Sequence, residues 1–422
     1  MSASGNLSAL AEFYVKGFSL ASRQAQMQKN NTTLRMMDTD DTKLGSGSAF
    51  YVTIRTHQAY SASHTFEWGM NDYASQVGYQ WLISGPKTLY GSIKLDGLAL
   101  AQAERGALID VKRTEIDDVT AGFANRIEQK LWGDTTGAIG VAASVATSGS
   151  TFTITLATLS DVYNFQVGMR IMAADSAGAN PKDETYVVTK LNYIDGKVVG
   201  TRENDLSTAV AANDYLYVRG DATLSIPGIP TFIPATLQSD TLLGVTRTGH
   251  GEYLQGWRVA FQGTIEATIK EIFSKMGRFV QRDKARYNVC LSYGDWLKLD
   301  DELGGRVYRT PDAAQKFGTE SIQVRTPAGV VSCIPIAALK DGRAYVIDWS
   351  SWVLYRLKSL PHVVQDDGLT WLRMGAGTAT PTTNSTTTST DNLSGDGIMM
   401  RLRAWFHPLC TSPISNGTFP TA

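Results

Sequence analysis

The chain has 422 residues, 43% of them hydrophobic, and its 39 basic and 40 acidic side chains leave a formal net charge of −1. That length supports two or three domains with sizeable cores, and the balanced charge argues against a protein whose main task is gripping nucleic acid. No apolar run approaches the ~20 residues of a membrane span, and Met1-Ser2-Ala3-Ser4-Gly5-Asn6 lacks the basic-then-apolar pattern of a secretory signal.

Residues 1–45 are polar, and Leu7, Leu10, Phe13 and Tyr14 form only one short helical stripe. The segment reads as an arm that orders against a partner. From Gly45 the pattern turns extended, with Phe50, Val52 and Ile54 alternating with Tyr51, Thr53 and Arg55. Residues 46–95 are too aromatic for a free linker and too thin to own a core. Their aromatics are therefore expected to be buried against something outside the segment, and in an assembly of copies this makes Trp68, Tyr79 and Trp81 anchors against neighbouring subunits.

Residues 98–132 carry the clearest helix. Ile116, Val119, Phe123, Ile127 and Leu131 fall at i, i+3, i+4 spacing, and Gly133 suits a C-terminal stop. Between Gly133-Asp134 and Gly220-Asp221 the composition changes to Thr, Val, Ala and Tyr with alternating polarity. Short strands are expected at 152–156, 170–173, 186–191, 197–201 and 215–219, with Asp195-Gly196 as a two-residue hairpin turn. Residues 138–221 thus read as a small antiparallel β-barrel or sandwich inserted into a host domain.

After Pro234 a mixed region resumes. Ile265, Ile269, Ile272 and Met276 form an amphipathic helix, and Ser292 with Asp295 caps another ahead of Trp296, Leu299 and Leu303. Strands are expected at 322–326, 330–334, 344–348 and 399–406, and the Thr/Ser-rich tract 378–394 reads as a surface loop.

Chemistry is sparse. There is no Gly-x-Ser-x-Gly elbow, phosphate loop, dinucleotide fingerprint or His-Glu-x-x-His, so no catalytic, cofactor or metal residues are expected. His57 with His64, and His407 with Cys410, lack the further ligands a zinc site needs. The acidic pairs Asp117-Asp118, Asp300-Asp301 and Asp366-Asp367 read as solvated faces, and Arg219-Gly220-Asp221 matches an adhesion tripeptide without a secretory context. Cys290, Cys333 and Cys410 are odd in number and widely spaced, which points to buried free thiols in a reducing cytoplasm. A basic cluster, Lys275, Arg278, Arg282, Lys284 and Arg286 around Phe279 and Tyr287, fits single-stranded nucleic acid or a subunit contact. The balanced overall charge favours the contact, through Arg278, Arg282 and Arg286.

The order of these elements resembles the tailed-bacteriophage major capsid protein family with the Hong Kong 97-type shell fold. The helix end Ala121 to Asp134, the step Ser225-Ile226-Pro227-Gly228-Ile229-Pro230, the strand Arg401 to Phe406 and the tail Pro413 to Phe419 are similar to the family's motifs. The resemblance implies an α+β fold made of an N-terminal arm (1–45), an extended loop (46–95), a peripheral domain with its spine helix (96–137), the β insertion (138–221), a mainly axial domain (222–395) and C-terminal strands returning to the peripheral domain (396–422). It implies no enzyme and no cofactor. It implies a self-assembling icosahedral head shell of hexamers and pentamers in the virion, built in the host cytoplasm with a scaffolding protein and a portal. Such a shell leaves room for a decoration protein, touches double-stranded DNA only by weak non-specific contact and involves no membrane. Some members crosslink a Lys to an Asn between subunits. Lys87, Lys94 and Asn416 lie in the corresponding regions, but no acidic partner is identified and no crosslink is expected. An encapsulin-like compartment shares the fold, and a β-rich cytoplasmic hydrolase is the alternative from another class.

Overall fold

A computed structural model describes residues 32–41, 49–54, 64–67, 79–83, 85, 87–96, 108–133, 136–175, 180–203, 209–222, 226–249, 251–277, 286–304, 322–327, 329–358, 360, 362–363, 371–374 and 397–421. In chain order the elements begin with α1 (Thr32–Met36), β1 (Asp38–Asp40), β2 (Phe50–Thr53), β3 (Gln80–Ile83), β4 (Lys87–Asp96) and α2 (Leu108–Leu131). Next come β5 (Gly140–Ser148), β6 (Thr151–Leu156), the 3₁₀ helix Leu159–Asn164, β7 (Arg170–Ala174), β8 (Pro181–Asn192), β9 (Lys197–Arg202) and β10 (Tyr215–Val218). A helical turn at Ile229–Phe232 precedes β11 (Thr241–Leu242), β12 (Val245–Thr246), a second turn at Gly251–Gln255, β13 (Trp257–Arg258), α3 (Ile265–Met276), β14 (Tyr287–Leu291) and α4 (Tyr293–Leu303). The chain closes with β15 (Ile322–Thr326), β16 (Gly329–Pro335), β17 (Arg343–Asp348), β18 (Trp352–Arg356), β19 (His362–Val363), β20 (Trp371–Met374), β21 (Gly397–Cys410) and β22 (Gly417–Pro420).

Two compact units result. The first holds β4, β19, β20, α2 up to residue 126 and β21 up to residue 406. There β21 runs antiparallel to β4 from Gly397↔Asp96 to Phe406↔Lys87, and β19 and β20 also pair with β21. Alternation along the strands buries Ile93, Met400 and Leu402 against Val119 of α2. Gly91 lets the sheet approach that helix, because a Cβ there would sit 3.1 Å from the Phe123 ring. On the other face Arg403 lies 5.7 Å from the ring centres of both Tyr90 and Trp405.

The second unit holds the remaining described elements. Its main sheet has the order β13-β22-β17-β14-β16-β15. Ile265, Ile269, Ile272, Phe273 and Met276 of α3 and Leu299 of α4 share one core with Val289, Val324, Cys333, Val346 and Phe419 of the strands. The caps are local. The Thr264 hydroxyl accepts from the Ala267 amide at 3.1 Å, the Ser292 hydroxyl accepts from the Asp295 amide at 3.1 Å, and the Glu302 carboxylate accepts from the Ile265 amide at 2.8 Å.

Within this unit β5 to β10 close a barrel of order β10-β5-β6-β9-β8-β7. Phe152, Ile154, Val162, Phe165, Ile171, Tyr186, Val198 and Leu216 fill it. Of the two sheet architectures the sequence allows, the closed one forms because β7 pairs with both β8 and β10, which leaves no free edge. β8 joins β9 through four residues, Tyr193 to Gly196, rather than the expected two-residue turn, because Asn192 pairs with Lys197; Gly196 closes the turn at φ +61°, a conformation that suits glycine. Strand β5 is an addition to the expected set: Gly-Val-Ala-Ala-Ser-Val-Ala-Thr-Ser alternates too weakly in polarity to announce itself.

Candidate assembly surfaces

The barrel leaves and rejoins its host at a tight junction. Helix α2 ends at Leu131, and the chain that returns after the barrel lays Gly228 on the carbonyls of the helix end and of Gly133 just beyond it. A Cβ on Gly228 would lie 2.2 Å from Gly133 O, 2.6 Å from Leu131 O and 2.9 Å from Lys130 O. Only a glycine fits, which gives the Pro227-Gly228-Ile229 step its physical reason. Beside it the Lys130 ammonium, nearly buried, pairs with Asp221 at 2.9 Å, so a cation at the helix C-terminus also holds the returning strand. Arg219 faces Glu203 at 3.6 Å. Both charged side chains of the tripeptide Arg219-Gly220-Asp221 are therefore paired within the chain, Asp221 at the junction and half-exposed Arg219 with Glu203.

The stretch preceding the first unit's sheet folds partly on its own chain. Strands β2 and β3 pair antiparallel from Phe50↔Ile83 to Thr53↔Gln80. The Leu82 amide donates to Leu243 O at 2.9 Å, tying the pair to the β11–β12 hairpin. Trp81, expected as an intersubunit anchor, is instead fully buried within its own chain, at 0% exposure. Its indole N–H donates to Cys410 O at 2.8 Å, and its ring meets Phe232 edge-on at 5.7 Å, which in turn meets Trp352 at 5.5 Å. Sequence spacing cannot foresee that partner, because Cys410 is 329 residues away. Tyr79 is half-buried and its carbonyl accepts from the Ile54 amide at 2.8 Å. Trp68, Arg278 and Arg282 lie outside the described residues, as do His57, Asp366 and Asp367.

Arg286 is half-exposed, and its guanidinium donates to Asp38 of the same chain at 2.7 Å. That contact fixes residues of the segment expected to be a partner-ordered arm. Residues 32–41 pack here on their own unit: β1 pairs in parallel with β18, and Leu34 and Met37 are buried. The Thr33 hydroxyl donates to the Glu128 carboxylate at 2.9 Å and accepts from the Trp132 indole at 2.9 Å. Burial raises the Glu128 carboxyl above its ordinary value, and the Thr33 hydrogen bond only partly opposes this.

The tail is equally internal. Asn416 is fully buried: its Oδ1 accepts from the Asp348 amide at 2.9 Å and the Trp352 indole at 3.1 Å. Its Nδ2 donates to Ser412 O at 2.8 Å and Ser351 Oγ at 3.0 Å. All four hydrogen-bonding sites of the amide are thereby used, so its role in this conformation is to lock the tail. The three cysteines are free and buried, and burial pushes the Cys333 and Cys410 thiols up to about 12 and Cys290 upward as well. His407 is buried, three residues from Cys410 along β21, and His64 is exposed. No group of three or more candidate metal ligands occurs among the described residues. No helix among them is long and apolar enough to cross a membrane.

No protein-family model and no curated protein sequence matches the chain. Solved structures do. The capsid subunit of cyanophage A-1(L) superposes with a TM-score of 0.53 at 8% identity, covering 94% of this chain and 93% of that one. The procapsid of satellite phage P4 superposes at 0.42 and 8% identity, covering 100% and 98% of the two chains. The encapsulin complex of Synechococcus elongatus superposes at 0.41 and 6% identity, covering 93% and 87%. The last two are looser. The first establishes the fold: an α+β capsid fold of the Hong Kong 97 type, here with a six-stranded barrel.

Proposed function

We propose that this chain is the major subunit of a self-assembling icosahedral shell, and specifically of the head that encloses the double-stranded DNA of a tailed bacteriophage. The observation that carries the reading is the likeness to a capsid subunit over nearly the whole of both chains. The barrel fits the same reading as an insertion, because the chain leaves the host at Gly133 and returns to it at Gly228, touching the same helix end. Within that shell the peripheral region is built on β4, α2 and β21, the axial region on the β13–β17 and β22 sheet with α3 and α4, and homo-oligomeric contacts supply hexamers and pentamers. Scaffolding protein and portal act during assembly, and DNA is met by weak, salt-screened contact, as a net charge of −1 suggests. The role is structural rather than catalytic. Co-expression with the scaffold, followed by electron microscopy and sedimentation, tests this. Closed particles of many copies are expected, filled with DNA in infected cells. Cargo-filled shells without DNA would move the reading to an encapsulin-like compartment, and a strict monomer at every concentration would overturn it.

A further inference from the structure

Five large apolar side chains are exposed on the barrel among the described residues, and four of them, Leu159, Tyr163, Tyr193 and Ile194, are neighbours. The Tyr163 and Tyr193 rings stack with centres 5.5 Å apart and planes at 25°. The β8–β9 turn packs so closely on the 3₁₀ helix that a Cβ on Gly196 would sit 3.2 Å from the Leu159 Cα. Ile194 stands at the turn's tip, 85% exposed.

The patch is rigid rather than loose. The Asn192 side-chain oxygen accepts from the Ile194 and Asp195 amides at 3.1 and 3.2 Å, and its nitrogen donates to Asp195 at 2.9 Å. Lys197 pairs with Asp195 at 3.3 Å. The 3₁₀ helix is tethered by buried Asp161, which pairs with Lys340 of the host at 3.1 Å. Little conformational freedom is left to lose on contact, which favours an interface. Nothing inside the barrel requires these four side chains, whose core is complete without them.

We infer that this patch is a contact between the barrel and a second copy of the chain in the assembled shell. The inference rests on the shell reading above. Its area selects the occupant. At ~200 Å² per side chain and 49–85% exposure, the four expose about 500 Å². That lies well below the ~800 Å² per partner of a free-standing complex, so the contact persists only where other contacts already hold the partner close. A closed shell of identical subunits does this, raising the effective concentration of each neighbouring surface to the millimolar range or above. The aliphatic tips of Leu159 and Ile194 offer no hydrogen bonds and match a protein surface. The unassembled subunit should therefore show no dimerisation through the patch.

Nitration by tetranitromethane, mapped by peptide mass spectrometry, tests it on the full chain, with buried Tyr217 as the unreactive reference. Shells made from this chain, after scaffold release, should nitrate Tyr163 and Tyr193 at least tenfold more slowly than the unassembled subunit. Equal rates in well-formed shells would overturn the contact and leave the shell reading intact. Protection found only in complete virions would assign the patch to another protein and overturn the self-contact. Failure to form any particle would overturn the shell reading and the contact with it.

Discussion

Replacing Gly228 by alanine adds one carbon to the most crowded point of the insertion junction. The added Cβ would meet three backbone oxygens at 2.2, 2.6 and 2.9 Å, all closer than the 3.0 Å that real Cβ atoms respect. All three are backbone atoms, two at the end of α2 and one just past it, so none can swing aside as a side-chain tip would. Gly228 has φ −84°, which any L-residue adopts, so the substitution carries no backbone strain and the cost is steric alone. The returning segment must retreat by about 1 Å, and it takes with it Ile229, Phe232 and Ile233, each at 0% exposure. Overpacking of this kind costs about 1–3 kcal/mol and more when the obstacle is backbone; we expect at least ~3 kcal/mol here. The control is Gly122→Ala in the middle of α2, where nothing lies within 4 Å of the new carbon. That change should stabilise by about 0.5–1 kcal/mol. The same chemical edit at two glycines should therefore differ by roughly 4 kcal/mol in urea unfolding of the unassembled subunit, followed by tryptophan fluorescence. A Gly228→Ala variant within ~0.5 kcal/mol of its parent would refute the junction as described.

Glu128 gives a pH test. Its carboxyl is raised in the folded chain, mainly by burial, so the folded state holds more protons than the unfolded one between 4.5 and the raised value. Stability from this group is present below 4.5 and is lost as pH rises through that window, so Glu128→Gln, which still accepts from Thr33, should gain on its parent between pH 4.5 and pH 7. A parent–variant difference that is the same at both pH values would contradict this. The three thiols should resist Ellman's reagent in the folded subunit and all react in urea, since burial holds them protonated; one native equivalent would be enough to overturn the prediction. Residues 138–221 expressed alone should show strand circular dichroism and a cooperative melt, because the barrel has its own core and no open edge; a disordered fragment would make the barrel dependent on its host.

What the sequence determined is what nearest neighbours along the chain decide. The stripe Val119, Phe123, Ile127 and Leu131 specifies α2, the Ser292-to-Asp295 cap starts α4, and Asp195-Gly196 turns β8 into β9, each through contacts a few residues apart. The order of such elements was enough to suggest the capsid fold that the cyanophage likeness establishes. Only the tertiary structure decided where the aromatic and polar anchors are spent. Trp81 reaches Cys410, Thr33 reaches Glu128 and Trp132, and Asn416 reaches Asp348 and Trp352. A Trp in an extended, turn-rich stretch looks the same in sequence whether its pocket is supplied by a neighbouring subunit or by residues hundreds of positions away. Burial depends on three-dimensional packing density, and periodicity along one segment carries no record of it.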